Sequence, residues 1–457
     1  MRILHIGNIA NNAFNAAYLE RLSGLESFVI SPFLYDEIAT PFWEIYEETV
    51  SKQKTLEFLY KDYRYQNPEW YIHGTWKSIA NELGESLRIF EPKSSSFPSQ
   101  RLLQSKQKFS ILRNHRGSIK KLLHPELRNW ISQHILFRIR LRIPNTLRDT
   151  IRNFDVVIYH GPYVAFAKSI QENLPYLALE HGTLKNFCSG ELPHSRATVE
   201  GYKMAHCIFV TNQEGLVAAR ELDIDPKRLI KTPHPSSDSD LAELRSKFLK
   251  NKSHGPKEKL KVFVPSRHAV RTGVDPGKGK EEILQIIYEA KKKSLRCIFL
   301  FTEIGDDINQ TKRQIRDLEI EDMVLWVGLV TRKRLKTIMS QCDLIIDQLT
   351  QPSYGGITAD ALGIGVPCVT KHNCALDISF FGSCAPVIPY ESVLQTVQLI
   401  DSMIQQKMST FESSIRMTSW YDSNLHSSLA LTHRIKKYIQ IDSISNNQTR
   451  RDSGLNL

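Results

Sequence analysis

The chain has 457 residues, more than one hydrophobic core commonly serves, so two domains or three are expected. A hydrophobic fraction of 41% and a charged fraction of 24% are those of a folded protein and exclude global disorder. The formal charge of +11 suits a phosphate-bearing partner and equally a solvated basic surface with no partner, and no run reaches the roughly 18 to 20 apolar residues that cross a bilayer.

The N-terminal half alternates strand and helix patterns: a strand over 2–6, a helix over 12–22 and a strand over 27–31. The first strand begins at once, with no apolar leader before it, which predicts a cytoplasmic protein. An irregular basic stretch follows over 88–152, where Lys106, Lys108, Lys120, Lys121, Arg138, Arg140 and Arg142 recur with few acids between them. Such a stretch suits the phosphates of an anionic membrane surface or a lipid-linked acceptor, and it lacks the zinc-finger spacing or aromatic interleaving of a nucleic-acid binder. The alternation resumes with strands over 155–159, 176–179 and 207–210. This is the pattern of a mostly parallel sheet covered by helices.

A polar, lysine-rich segment over 236–259 reads as a linker between a first domain (1–235) and a second (260–415). The second half repeats the rhythm: strands over 260–264, 297–301, 324–327, 344–346 and 367–369, with helices over 281–292, 308–318 and 332–340. A terminal helix is expected over 416–440 and a flexible tail over 441–457. The seven cysteines run from Cys188 to Cys384 with no Cys-x-x-Cys pair, which predicts reduced thiols and neither a disulfide framework nor a zinc site.

In open α/β sheets ligands bind beyond the carboxyl ends of the strands, which directs attention to the residues just after each one. Arg267 follows the strand over 260–264 and Lys278 precedes the next helix; two cations there would neutralise a diphosphate. Asp347 and Gln348 end another strand, and Tyr354, Gly355 and Gly356 make a turn that opens a helix, whose free amides suit an anion. Asp360, one turn on, is placed to accept hydrogen bonds from vicinal ribose hydroxyls.

The segment Asp360-Ala-Leu-Gly-Ile-Gly365-Val-Pro367, with Arg267 and Lys278 upstream in the same order, resembles the donor-binding signature of GT-B glycosyltransferases, in particular the retaining family-four (group 1) type. The N-terminal run Ile3-Leu-His-Ile-Gly7-Asn-Ile-Ala-Asn-Asn12 is similar as well. The family's usual motif is Glu, seven residues, Glu; here aspartate replaces the second glutamate and Pro352 stands at the first. Asp347-Gln348 with Tyr354-Gly355 look like a variant that replaces that first glutamate.

The resemblance implies an α/β fold of the GT-B kind: two Rossmann-like domains facing across a cleft, with a C-terminal helix crossing back to the first domain. It implies transfer of a sugar from a nucleoside diphosphate sugar to an acceptor hydroxyl, with retention and without a metal or other cofactor. Arg267 and Lys278 would stabilise the leaving diphosphate, and His181 would meet the reacting sugar. Asp347, Gln348, Tyr354, Gly355, Gly356 and Asp360 would hold the donor. Asn8, Asn11, Asn12 and Glu180 would line the acceptor side, although Asn12 is equally suited to cap the first helix. A glycan or lipid-linked acceptor, cell-surface polysaccharide or glycolipid synthesis, and peripheral attachment to the inner face of a membrane are the family's usual setting. A non-catalytic binding protein and a sugar-nucleotide epimerase remain open as alternatives on the same architecture.

Overall fold

The computed structural model describes residues 1–32, 40–47, 49–50, 67–89, 143–171, 174–182, 184, 193–252, 259–268, 278–305, 307–350, 355–405 and 410–452. Most of the basic stretch 88–152 therefore lies outside the described residues, as do Tyr354 and the linker end 253–258.

The first half supplies β1 (Arg2–Ile6), α1 (Asn12–Leu22), β2 (Glu26–Pro32), α2 (Phe42–Ile45), β3 (Thr49–Val50), β4 (Tyr71–Gly74) and α3 (Trp76–Ile89). Next come α4 (Asn145–Ile151), β5 (Val156–His160), α5 (Ala167–Gln171), β6 (Leu177–Glu180), α6 (Pro193–Met204), β7 (Cys207–Val210), α7 (Gln213–Glu221) and β8 (Leu229–Lys231). Among the described residues seven of these strands form one sheet, in the order β4-β2-β1-β5-β6-β7-β8. All its pairings are parallel, as in Ile3 opposite Ser27 on one side and Val156 on the other. Its central strands are mostly apolar because both faces are buried, with Ile3, Leu4 and Ile158 completely enclosed, and the polar exceptions His5, His160 and Glu180 are buried too.

The second half supplies α8 (Leu241–Lys252), β9 (Leu260–Val264), α9 (Lys280–Lys292), β10 (Cys297–Thr302), α10 (Ile308–Asp317), β11 (Val324–Val330), α11 (Arg332–Met339), β12 (Leu344–Ile346), α12 (Gly356–Ile364), β13 (Cys368–Thr370), α13 (Cys374–Phe381), β14 (Ile388–Pro389), α14 (Val393–Ile404), α15 (Thr410–Asn424) and α16 (Ser427–Asp452). Its sheet runs β14-β13-β12-β9-β10-β11-β3. The last strand is a surprise: Thr49 and Val50 leave the first half to pair antiparallel with Val330 and Leu329.

The structure departs from the sequence reading at both joints. Much of the expected linker is helix α8, whose Leu241, Leu244 and Phe248 are buried against Leu362 and Tyr421 in the second core. At the end, α15 packs Trp420 and Tyr421 into the second domain, while α16 returns to the first and buries Tyr438 and Ile441 beneath its sheet. Helix continues to Asp452 instead of ending near 440. Apart from the excursion of β3, the chain thus passes between the domains before α8 and again before α16, and these two passages touch where Asp238 Oδ2 accepts the Ser427 amide at 2.6 Å.

The return of α16 is locked by a buried polar cluster that the sequence reading missed. Glu20 Oε1 accepts from Tyr438 Oη at 2.7 Å and Arg434 Nε at 3.2 Å, and Glu20 Oε2 pairs with His5 Nε2 at 2.8 Å. Burial alone would raise the Glu20 carboxyl, but the charges of His5 and Arg434, with hydrogen bonds from His5 and Tyr438, reverse this and hold it at about 2.

A second correction concerns the cysteines. Cys374 and Cys384 form a disulfide with their Cα atoms 5.0 Å apart, because Gly382, left-handed at the end of α13, turns the chain back along the helix. Cys207, Cys297, Cys342 and Cys368 are buried outside any disulfide. Among the described residues no helix is long and apolar enough to cross a membrane.

Candidate functional site

The carboxyl ends of the two sheets carry the predicted residues. After β1, Gly7 takes φ +89, and a Cβ there would lie 2.2 Å from the Tyr163 ring, so only glycine permits this turn. Asn8 Oδ1 accepts the Phe14 amide at 3.1 Å and its Nδ2 donates to Asn11 Oδ1 at 3.0 Å and Tyr71 Oη at 3.3 Å. Asn8 thereby shapes the entry to α1. Asn12, the first residue of that helix, donates to the Ile9 carbonyl, whereas left-handed Asn11 directs its Nδ2 to Glu44 Oε1 at 3.4 Å.

Glu180 ends β6 completely buried, with Oε1 accepting the amides of Gly182 at 2.6 Å and Leu184 at 3.1 Å and Oε2 accepting Tyr202 Oη at 2.6 Å. Instead of presenting its carboxylate on the acceptor side, it pins the loop that carries His181. Enclosure of His181 drives its imidazole down to about 4, so it is neutral at physiological pH, and its Nε2 has no partner among the described residues. His234, on the passage between domains, is accessible to water yet ringed by protein atoms, as on a cleft wall. Desolvation lowers it too, and it feels the charges of both His181 and Arg332, which places the three near one another.

On the facing domain, Lys278 Nζ donates to Gln348 Oε1 at 2.7 Å, and the Leu349 amide bonds the Lys278 carbonyl, joining the loop before α9 to the end of β12. Asp347 is buried and raised by desolvation, with Oδ2 accepting Thr358 Oγ1 at 2.7 Å. Gly355 and Gly356 form the exposed N-terminus of α12. Arg267 is exposed at the end of β9. Its neighbour His268 faces inward, bonded through Nδ1 to Thr311 and through Nε2 to the Thr302 carbonyl.

The centre of the site holds two charged residues that the sequence reading did not single out. Arg332, first residue of α11 after the N-cap Thr331, makes a two-pronged pair with Asp360, Nε to Oδ2 at 3.2 Å and Nη2 to Oδ1 at 3.1 Å. Its Nη1 is 3.8 Å from Glu44 Oε1. Asp360, then Glu44, hold the guanidinium strongly protonated, while burial raises Glu44 against the pull of Arg332. Asn11, Glu44, Arg332 and Asp360 form a continuous polar chain from one domain to the other. Arg332 Nη2 also lies 3.5 Å from where a Cβ on Gly356 would stand, beside the α12 N-terminus. A single hint existed in sequence: Thr331-Arg332 follows a strand, the position at which ligand-facing residues are sought.

Two largely parallel sheets facing across a cleft, with a C-terminal helix that crosses back, define the α/β fold of the GT-B class. Solved structures agree. HepE of Anabaena, in complex with UDP and glucose, superposes with a TM-score of 0.58 at 13% identity, covering 96% of this chain and 99% of that one. A glycosyltransferase from Rickettsia africae gives 0.54 at 12% identity, covering 96% and 98%. Sucrose-phosphate synthase from Thermosynechococcus elongatus gives 0.55 at 9% identity, covering 97% and 100%. No protein-family profile matches the chain, and no curated protein matches it by sequence.

Proposed function

We propose that this protein is a glycosyltransferase that moves a hexosyl group from a nucleoside diphosphate sugar to an acceptor hydroxyl, with retention and without a metal. The observation that carries the reading is the floor of the cleft. Lys278 and Gln348 are bonded at the end of β12, Arg332 stands beside the free amides of α12, and His181 and His234 enter from the opposite side. A floor of cations and amides favours a diphosphate, most of all as its charge grows on departure. HepE, which shares the fold, was solved with UDP and with UDP-glucose, and this makes uridine the first base to test.

In the reaction the bond from the anomeric carbon to the diphosphate oxygen breaks as the acceptor oxygen bonds to the same face of that carbon. The acceptor proton passes to the departing diphosphate. Lys278 and Arg267 neutralise that group, Asp360 offers its remaining lone pairs to the ribose, and neutral His181 positions the sugar through Nε2. Positioning and electrostatics supply the acceleration. A glycan or lipid-linked acceptor at a membrane surface, met by the basic stretch 88–152, completes the proposal.

Calorimetric titration with UDP, GDP, ADP, CMP and dTDP in EDTA, without thiol reagents, tests it. One diphosphate should bind selectively and bind much less in Lys278→Ala and Arg267→Ala, and its sugar derivative should release that diphosphate with an acceptor. Binding of none would sink the reading; binding with turnover restored only by divalent ions would sink the metal-independent step.

A further inference from the structure

The turn between β13 and the end of α13 gathers side chains that sugar transfer does not use. His372 follows β13, Cys374 and Asp377 lie in the first turn of α13, and Cys384 comes just after the helix. One ligand atom from each of His372, Asp377 and Cys384 can be chosen so that all lie within 4.8 Å of one another. His372 Nε2 is bonded to Asp377 Oδ2 at 2.6 Å, and the same oxygen accepts the Ala385 amide at 2.9 Å. The side chains of His372 and Asp377 are only 6% and 9% exposed, so water competes weakly for them. Cys374 is bonded to Cys384 and therefore belongs to the same group.

From this clustering we infer that the segment is a redox-controlled zinc site, closed by the disulfide when oxidised and by a divalent soft-acceptor cation when reduced. Two thiolates, an imidazole and a carboxylate are a tetrahedral zinc set. Zinc bonds of about 2.0 to 2.3 Å place tetrahedral ligand atoms about 3.3 to 3.8 Å apart, which small side-chain rotations reach from the observed cluster. The chemistry balances. A dithiol gives two electrons and two protons to the Cys374–Cys384 bond, leaving two thiols and the reductant's own cyclic disulfide. Zinc then displaces both thiol protons to solvent; the proton shared by His372 Nε2 and Asp377 leaves Nε2, carried by the other ring nitrogen or by solvent, so that the hydrogen bond is exchanged for two coordinate bonds. Asp377 retains the Ala385 amide, which orients its carboxylate.

The position gives the site a role. α13 carries Phe380 into the core of the first domain, while Phe381 and Ser383 contact Trp420 of the second. Lys231 bonds the Ser379 carbonyl at 2.6 Å, and the Lys371 amide, one residue before His372, bonds the Gln348 carbonyl at 2.8 Å. Either closure therefore fixes a segment that joins both domains to the loop bearing Gln348.

The full chain, treated with dithiothreitol under nitrogen and desalted, is titrated with zinc against a chromophoric chelator and with cobalt by absorption. Reduced protein should take up one zinc per chain and show the intense ligand-field bands of tetrahedral thiolate cobalt; oxidised protein should do neither. Cys384→Ser and His372→Ala should abolish both signals, and Asp377→Asn, the mildest change, should weaken affinity roughly 10- to 100-fold. Circular dichroism of each variant separates lost binding from lost folding, and Asp377→Asn decides if the others do not fold. Failure of the reduced chain to hold zinc against the chelator, or undiminished uptake by folded His372→Ala or Asp377→Asn, would overturn the inference.

Discussion

Replacing Arg332 by Met leaves the carboxylates of Asp360 and Glu44 in one enclosed space without the cation both now face. Breaking a fully buried pair costs about 3 to 5 kcal/mol; because 26% of the Arg332 side chain is still exposed, the lower end, about 3 kcal/mol, applies. Asp360→Asn removes the same bond from the other side. In the double variant the carboxylate left unpaired by the first change is gone, so the losses should fall short of their sum by about 2 kcal/mol. The Arg332→Met deficit should also depend on pH. Burial already raises Glu44, and a raised acid stabilises the fold at low pH and loses that contribution as pH rises, so the deficit should be smaller near about pH 5 than near about pH 8. Urea unfolding followed by fluorescence and circular dichroism, with coincident midpoints required, measures all four proteins. Losses that add within about 0.5 kcal/mol would refute the coupling, and a deficit equal at both pH values would refute its electrostatic origin.

Glu20→Gln should cost about 3 to 5 kcal/mol by stranding His5 and Arg434. The gap to the parent should close on acidification: a carboxyl held at about 2 contributes fully above its unfolded value of 4.5 and loses that contribution as pH falls towards about 2, so a gap constant in pH would contradict the assignment. His181→Ala should lower turnover roughly 10²- to 10³-fold with nucleotide affinity unchanged, as steady-state kinetics beside calorimetry would show. Its ionisation, at about 4, should leave the profile above about pH 5 without a limb of its own. Gly365→Ala forces a side chain into φ +90 with its Cβ 2.2 Å from Ser414 Oγ, and should lower stability by about 2 kcal/mol or more in the same urea assay.

The alternation of buried strands was legible because parallel strands covered on both faces are mostly apolar, and β1, β5, β9 and β12 lie where their runs stand. Lys278 was legible ahead of a helix and Gln348 after a strand, and the fold brings them together. Arg332 and Glu44 were not, since a pair is recognised only when folding joins 44 to 332, and Arg332 reads in sequence as one more base in Arg332-Lys-Arg334. The same holds for Glu20 and Arg434, 414 positions apart. Helix α8 was hidden by composition: Leu241, Leu244 and Phe248 carry helical spacing, yet the lysines and serines around them read as linker. β3, two residues long, has no periodicity to detect.

The contact between Asp238 and Ser427 makes the two passages of the chain behave as a single pin. His426 Nε2, 3.5 Å from the same carboxylate, tightens it. The pin is one of three ties between the lobes, the others being β3 on β11 and α13, which reaches both cores. Tyr421 feels the charges of both Asp238 and Asp360, so the Arg332–Asp360 pair lies close to that pin. Glu44 and Arg332 therefore meet beside these ties, where the covalent path of the chain already holds the two lobes together.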